Sequence, residues 1–145
     1  NVCAMYRKDI YESQGGFIRH TIFNEDMIYA AGVIQAGYRI AYVAGAGVIH
    51  SHNYSGIQQF HRDFDLGVSQ ADHPEIFEAV PSESEGIKMV KQTAKYLCSH
   101  GKWYLLPKLV WQSGWKYLGY RTGKHYRKLS CKKIMRYTMN VNYWK

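Results

Sequence analysis

The chain has 145 residues, 46% of them hydrophobic and 21% charged, with a formal net charge of +8. These values fit a folded domain with a core of its own and exclude a disordered tail or a low-complexity linker. No run approaches the ~20 apolar residues of a membrane-spanning helix, and the three scattered cysteines, Cys3, Cys98 and Cys131, argue against a disulfide framework and a closely spaced zinc site. The charge is unevenly placed. Five Lys/Arg face nine Asp/Glu from Asn1 to Val80, a balance of −4, whereas fourteen face two from Pro81 onward, a balance of +12. The chain begins at Asn1 with no signal-peptide pattern. The expectation is a segment of a longer protein in a reducing, cytoplasmic setting, possible contact with the inner face of the cell membrane included.

In chain order, "YRKDIYESQGGF" reads as a short helix closed by Gly15-Gly16. Asn24 is a natural N-cap for a second helix, with Glu25 and Asp26 in its first turn and Gly37 after its last. Met27, Ile28, Ala31, Ile34 and Gln35 recur at helical spacing, which predicts one face turned inward. "YRIAYVAG" and "AGVIH" read as two strands. Ile57, Phe60, Phe64 and Val68 then mark a helix. "DHPEIFEAVPSESEG" is a polar, proline-containing connection and the expected domain boundary, dividing residues 1–70 from 71–145. Ser84 to His100 is a predicted helix, and Trp103 to Tyr126 is one or two more, broken near Pro107 and loosened by Gly114, Gly119 and Gly123. The last stretch alternates basic and apolar residues without a clear end.

Several residues carry possible chemistry. An aspartate in a first helical turn feels the helix dipole, which favours its ionised form; that suits a carboxylate that accepts a proton. The bland reading is that Glu25 and Asp26 merely favour the helix N-terminus. His50 and His52 follow a strand end. Side chains two apart on an extended chain point to opposite faces, so only one of them is expected to face a site, as a metal ligand or as a structural histidine. Gln59 and Arg62 share a helical face, and Arg suits phosphate oxygens. The alternative is a solvated face with an Arg62–Asp65 pair. Asp63-Phe64-Asp65 lies on the same predicted helix and reads as a coincidental Asp-x-Asp.

The order of these features is more specific than any one of them. An apolar-to-Tyr-Arg start, Gly-Gly-Phe, Glu-Asp heading a helix, Gly-Tyr-Arg-Ile, His-x-His and a Gln/Arg helix follow one another between Asn1 and Gly67. This run resembles the C-terminal half of the catalytic domain of family-two glycosyltransferases, in the bacterial rhamnosyltransferase branch. The basic tail around "GWKYLGYRTGKHYRKL" is similar to the helical end of the same branch. The resemblance implies an α/β fold: the C-terminal portion of a GT-A type, Rossmann-like domain, followed by a helical basic tail. It implies inverting sugar transfer with Asp26 as general base and Glu25 as its neighbour in the motif. Gly15, Gly16 and Phe17 match the loop that shapes the acceptor side. His50, or its neighbour His52, corresponds to a residue completing a divalent-metal or diphosphate site. Gln59 and Arg62 sit where related enzymes carry Gln-x-x-Arg-Trp, with Asp63 in place of the Trp. The implied cofactor is Mg²⁺ or Mn²⁺, with its principal ligands expected upstream in the missing nucleotide-binding half, so the isolated segment is expected to be inactive. The implied donor is a nucleoside-diphosphate sugar, dTDP-rhamnose first among them, and the acceptor a polysaccharide or lipid-linked saccharide.

The tail carries all four tryptophans beside its Lys and Arg residues. That pattern suits a helix lying at an anionic membrane surface. It equally suits an aromatic stripe packed as the core of a helical subdomain. The alternative for the whole chain is a non-catalytic basic module for anionic membrane or nucleic acid, although no nucleic-acid motif is present and no nucleic acid is expected.

Overall fold

The structure, a computed structural model, describes residues 3–50, 52–78 and 82–145. It divides into two compact units, Asn1–Asn53 and Tyr54–Lys145.

The first unit holds two helices, α1 (Lys8–Ser13) and α2 (Glu25–Gln35). Gly15 and Gly16 have φ of +78° and +68°, the left-handed conformation that costs glycine least. Gly16 N–H donates to the Tyr11 carbonyl at 2.8 Å and Gly15 N–H to the Glu12 carbonyl at 3.1 Å. This bond pair is a Schellman cap, so the expected glycine stop is present. The same pair closes α2, from Gly37 to Ile34 and from Tyr38 to Val33. Tyr6, Tyr11, Phe17 and Tyr29 then meet as a four-ring cluster, with centroids 5.2 to 6.2 Å apart in tilted or edge-to-face pairs, the arrangement favoured by the ring quadrupole. α2 turns Tyr29 and Val33 inward, while Met27 and Ile34 are exposed. The helix is where the sequence predicts it, but its buried face differs, because its apolar residues go nearly all the way round and the spacing did not single out one side.

The expected α/β fold is not found. Among the described residues there is no strand and no sheet; all regular structure is helical. "YRIAYVAG" and "AGVIH" run without regular structure on either side of a turn closed by Ala46 N–H to the Val43 carbonyl. Tyr42 and Ile49 are fully or almost fully exposed there. β-branched composition favours an extended chain, but a strand exists only where a second one supplies its hydrogen bonds. No described residue does so.

The second unit is built on α3 (Gly56–Asp72), followed by α4 (Pro74–Phe77), α5 (Ser82–Ser99), α6 (Leu106–Lys124) and α7 (Cys131–Tyr137), with short 3₁₀ turns at Trp103–Leu105, Tyr126–Lys128 and Val141–Trp144. A capping box starts α3: Gln58 N–H donates to Ser55 Oγ, and Ser55 N–H donates back to Gln58 Oε1. The expected boundary near Gln70 falls inside α3, which packs along α6. Pro107 does not break α6; it lies in the first turn, where the missing N–H costs nothing.

Nor do Gly119 and Gly123 loosen that helix. They let α6 lie directly on α3. A Cβ at Gly119 would stand 2.3 Å from the Phe60 carbonyl oxygen, and one at Gly123 would stand 2.1 Å from that of Phe64. From the other side, Gly67 meets the Tyr120 carbonyl, 2.3 Å from its would-be Cβ. The matched order of these contacts makes α3 and α6 a parallel pair, with α4 and α5 as the crossover. Phe64 and Val68 are wholly buried in this unit.

Candidate functional site

The first unit contains a cavity of about 350 Å³ lined by Gln14, Gly15, Gly16, Phe17, Ile18, Arg19, Ile28, Tyr29 and Gly32. The volume falls in the range of small-ligand sites. The Schellman cap builds one wall: it reverses the chain after α1 and exposes the backbone of Gly15 and Gly16. The phenol of Tyr11 accepts a hydrogen bond from Phe17 N–H at 3.1 Å, which holds the loop and its ring. α2 builds the opposite wall with Ile28, Tyr29 and Gly32. The three residues expected on an acceptor loop therefore line one cavity together. Tyr29 and Arg19, which also line it, were not singled out in the sequence. A signal for Tyr29 was present: it is the one aromatic residue of α2, one turn after Asp26.

Glu25 and Asp26 occupy the first turn of α2, the same helix that lines the cavity. By helical spacing, Glu25 stands one turn before Ile28 and Tyr29, and Asp26 one turn before Tyr29 and Ala30. Asp26 Oδ1 accepts the Met27 backbone N–H at 2.8 Å. That bond fixes the carboxylate at the positive end of the helix dipole. The cap residue Asn24 is buried and left-handed, with φ of +64° and no side-chain cap bond. Asn tolerates this conformation better than most residues. A buried non-glycine residue held there, beside two acids, is the kind of local strain that collects at functional positions.

The histidines differ from the extended-chain expectation. The rings of His50 and His52 do not diverge to opposite faces; they meet edge to face, with centroids 4.3 Å apart. Ser51, between them, lies outside the described residues. Two imidazoles do not by themselves suit Mg²⁺ or Mn²⁺, which prefer oxygen ligands. No group of three His, Cys, Asp or Glu able to hold a metal occurs among the described residues. Among the described residues the donors present do not by themselves fit Mg²⁺ or Mn²⁺.

Gln59 and Arg62 lie on α3, in the second unit. Gln59 Nε2 donates to Asp63 Oδ2 at 2.5 Å. Burial holds the Asp63 carboxyl above its ordinary value, partly offset by the Gln59 hydrogen bond and by the nearby charges of Arg62 and Lys116. Asp65 is not on a solvated face and does not form the anticipated pair with Arg62. It is 1% exposed and accepts Thr138 Oγ1 at 2.7 Å, Met139 N–H at 2.9 Å and Asn140 Nδ2 at 3.1 Å. Asp65 is thus a structural residue that clamps residues 138–140 onto α3.

The chain is 41% identical over 145 residues to the O-antigen chain rhamnosyltransferase WbaN of Salmonella anatum. It is 39% identical over the same length to the O-antigen chain rhamnosyltransferase RfbN of Salmonella typhimurium. In both cases the match takes in 99% of this chain. This chain is similar to part of two rhamnosyltransferases. It spans about half, 46%, of the length of these curated relatives. No protein-family model and no solved structure matches it.

Proposed function

We propose that this chain is part of a glycosyltransferase that moves rhamnose from a nucleoside diphosphate, dTDP-rhamnose in the leading case, to a growing O-antigen-type polysaccharide on a lipid carrier. The observation that carries the reading is the 41% identity maintained over 99% of the chain to a protein named for that activity. Three features of the first unit support it: a cavity of about 350 Å³, an aromatic cluster beside it, and a carboxylate pair heading the helix that forms one wall.

In this reading the cavity receives the acceptor sugar. Tyr29 and Phe17 offer ring surfaces to its C–H face, and the backbone of Gly15 and Gly16 leaves room for close approach. Asp26 takes the proton from the attacking hydroxyl. The acceptor oxygen bonds to the anomeric carbon as the bond to the departing diphosphate breaks, so the configuration inverts. A positioned base of this kind contributes about 10²–10⁴-fold to the rate. Peripheral contact with a membrane follows from a lipid-linked acceptor.

The test is incorporation of labelled rhamnose from dTDP-rhamnose into an O-antigen acceptor by the protein that carries this chain. Transfer from dTDP-rhamnose and not from UDP-glucose or GDP-mannose is expected. Preference for another donor would refute the rhamnose assignment, and no transfer from any donor would refute the reading as a whole.

A further inference from the structure

α6 has two apolar faces and uses only one of them. The Gly119 and Gly123 side is closed against α3. On the opposite side two adjacent pairs, Val110-Trp111 and Tyr117-Leu118, recur seven residues or about two turns apart, and all four are exposed, Val110 and Trp111 by about two-thirds (67% and 65%). Trp115 stands between the two sides. Its indole covers Gly56, with Nε1 2.4 Å from where a Cβ would be, and its ring meets that of Trp111 edge to face at 5.6 Å. Trp111 is therefore held outward from a fixed support. The 3₁₀ turn before α6 adds exposed Trp103 and Tyr104.

The charge on α6 itself is of one sign: Lys108, Lys116, Arg121 and Lys124, with no Asp or Glu. Every Asp and Glu of the chain lies at or before Glu85, whereas fourteen of the nineteen Lys and Arg lie after it. Lys108 and Arg121 border the stripe by helical position, and all three of Lys102, Lys108 and Arg121 are exposed. An apolar face with Trp and Tyr at its edges and cations around it matches the headgroup region of an anionic bilayer. A second copy of the chain is a poor occupant, because pairing the two faces would bring cation against cation. No helix among the described residues is long and apolar enough to cross a membrane, so the geometry is that of a helix lying in the surface.

We infer that the outward face of α6 is a membrane-docking surface, with Trp111 and Leu118 entering the acyl boundary and Lys108 and Arg121 meeting anionic headgroups. This deepens the lipid-linked acceptor reading above and rests on it only for the need of a lipid partner. Vesicle binding requires no sugar transfer, so failure of either reading leaves the other standing.

The experiment is sedimentation of the full chain with phosphatidylcholine vesicles, with and without phosphatidylglycerol. Wild type is expected to pellet with the anionic vesicles at low salt and to be released at high salt. W111S/L118S is expected to lose about tenfold or more in partition, from the apolar area withdrawn. K108Q/R121Q probes the same face without altering an apolar side chain, and it should lose the preference for anionic over neutral vesicles. Undiminished binding by both variants, no binding by wild type, or self-association through this face that W111S/L118S abolishes would each overturn the inference. So would salt-sensitive binding to an RNA or DNA oligonucleotide in place of vesicles.

Discussion

Replacing Gly123 with Ala tests how the second unit is held together. A Cβ there would lie 2.1 Å from the Phe64 carbonyl oxygen, 2.9 Å from its carbon and 3.0 Å from Val68 N. Close carbon–oxygen contacts run at about 3.3 Å or more, so α3 and α6 must part by on the order of 1 Å. All three atoms are backbone, and no side chain can swing away. Overpacking of this kind costs about 1–3 kcal/mol, while Ala in place of Gly returns about 1 kcal/mol of helix propensity. With the contact at the severe end, the net loss is about 1–2 kcal/mol. Gly114 is the control on the same helix: nothing lies within 4 Å of its would-be Cβ. G114A should therefore gain up to about 1 kcal/mol. The assay is urea unfolding of the full chain followed by far-ultraviolet circular dichroism. With a slope of about 1–3 kcal/mol per molar urea, the two midpoints should separate in opposite directions from wild type. A G123A midpoint at or above that of wild type would refute the close-packing argument.

Asp65 is the second structural test. Asp65→Ala strands the buried Thr138 hydroxyl and two part-buried donors, at Met139 and Asn140, and should cost about 1–3 kcal/mol, with faster hydrogen exchange at the Met139 amide as its local sign. Asp63 gives a pH dependence. Burial raises its folded pKa above the unfolded value, so its contribution to stability is fully present below the unfolded pKa and is lost as pH rises through the folded one. The stability of wild type relative to Asp63→Asn should therefore fall as pH rises above the ordinary aspartate range of about 4, measured as the gap between urea midpoints; a constant or opposite gap would contradict the burial argument. At the cavity, Gly16→Ala would place a Cβ 2.9 Å from the Tyr11 ring at a φ of +68°. In a transfer assay it should raise the KM for acceptor more than it lowers kcat.

What could be read from the sequence was local. Asn24, Glu25-Asp26 and Gly37 bound α2 because caps and dipole partners lie within one turn of the helix end. Gly15 and Gly16 stopped α1 for the same reason, and with Phe17 they proved to line the cavity. What was misread depended on residues far along the chain. The segments 38–45 and 46–50 have strand composition, but a strand needs a partner that no described residue provides. Gly119 and Gly123 carry a low helix propensity, which locally reads as looseness; only the backbone of α3 shows them to be the contact surface. Asp65 reads locally as part of a solvated face paired with Arg62 because its hydroxyl partner is 73 residues away. The rings of His50 and His52 meet where regular alternation would part them.

The central claim is that the head of α2 supplies the base. It is tested most directly by transfer kinetics of the protein carrying this chain with Asp26→Asn and, separately, Glu25→Gln. Asp26→Asn should lower kcat by about 10²-fold or more with acceptor KM little changed, and Glu25→Gln should keep most of the activity. Full activity in Asp26→Asn would contradict the account and leave Asp26 as an acid that only caps its helix.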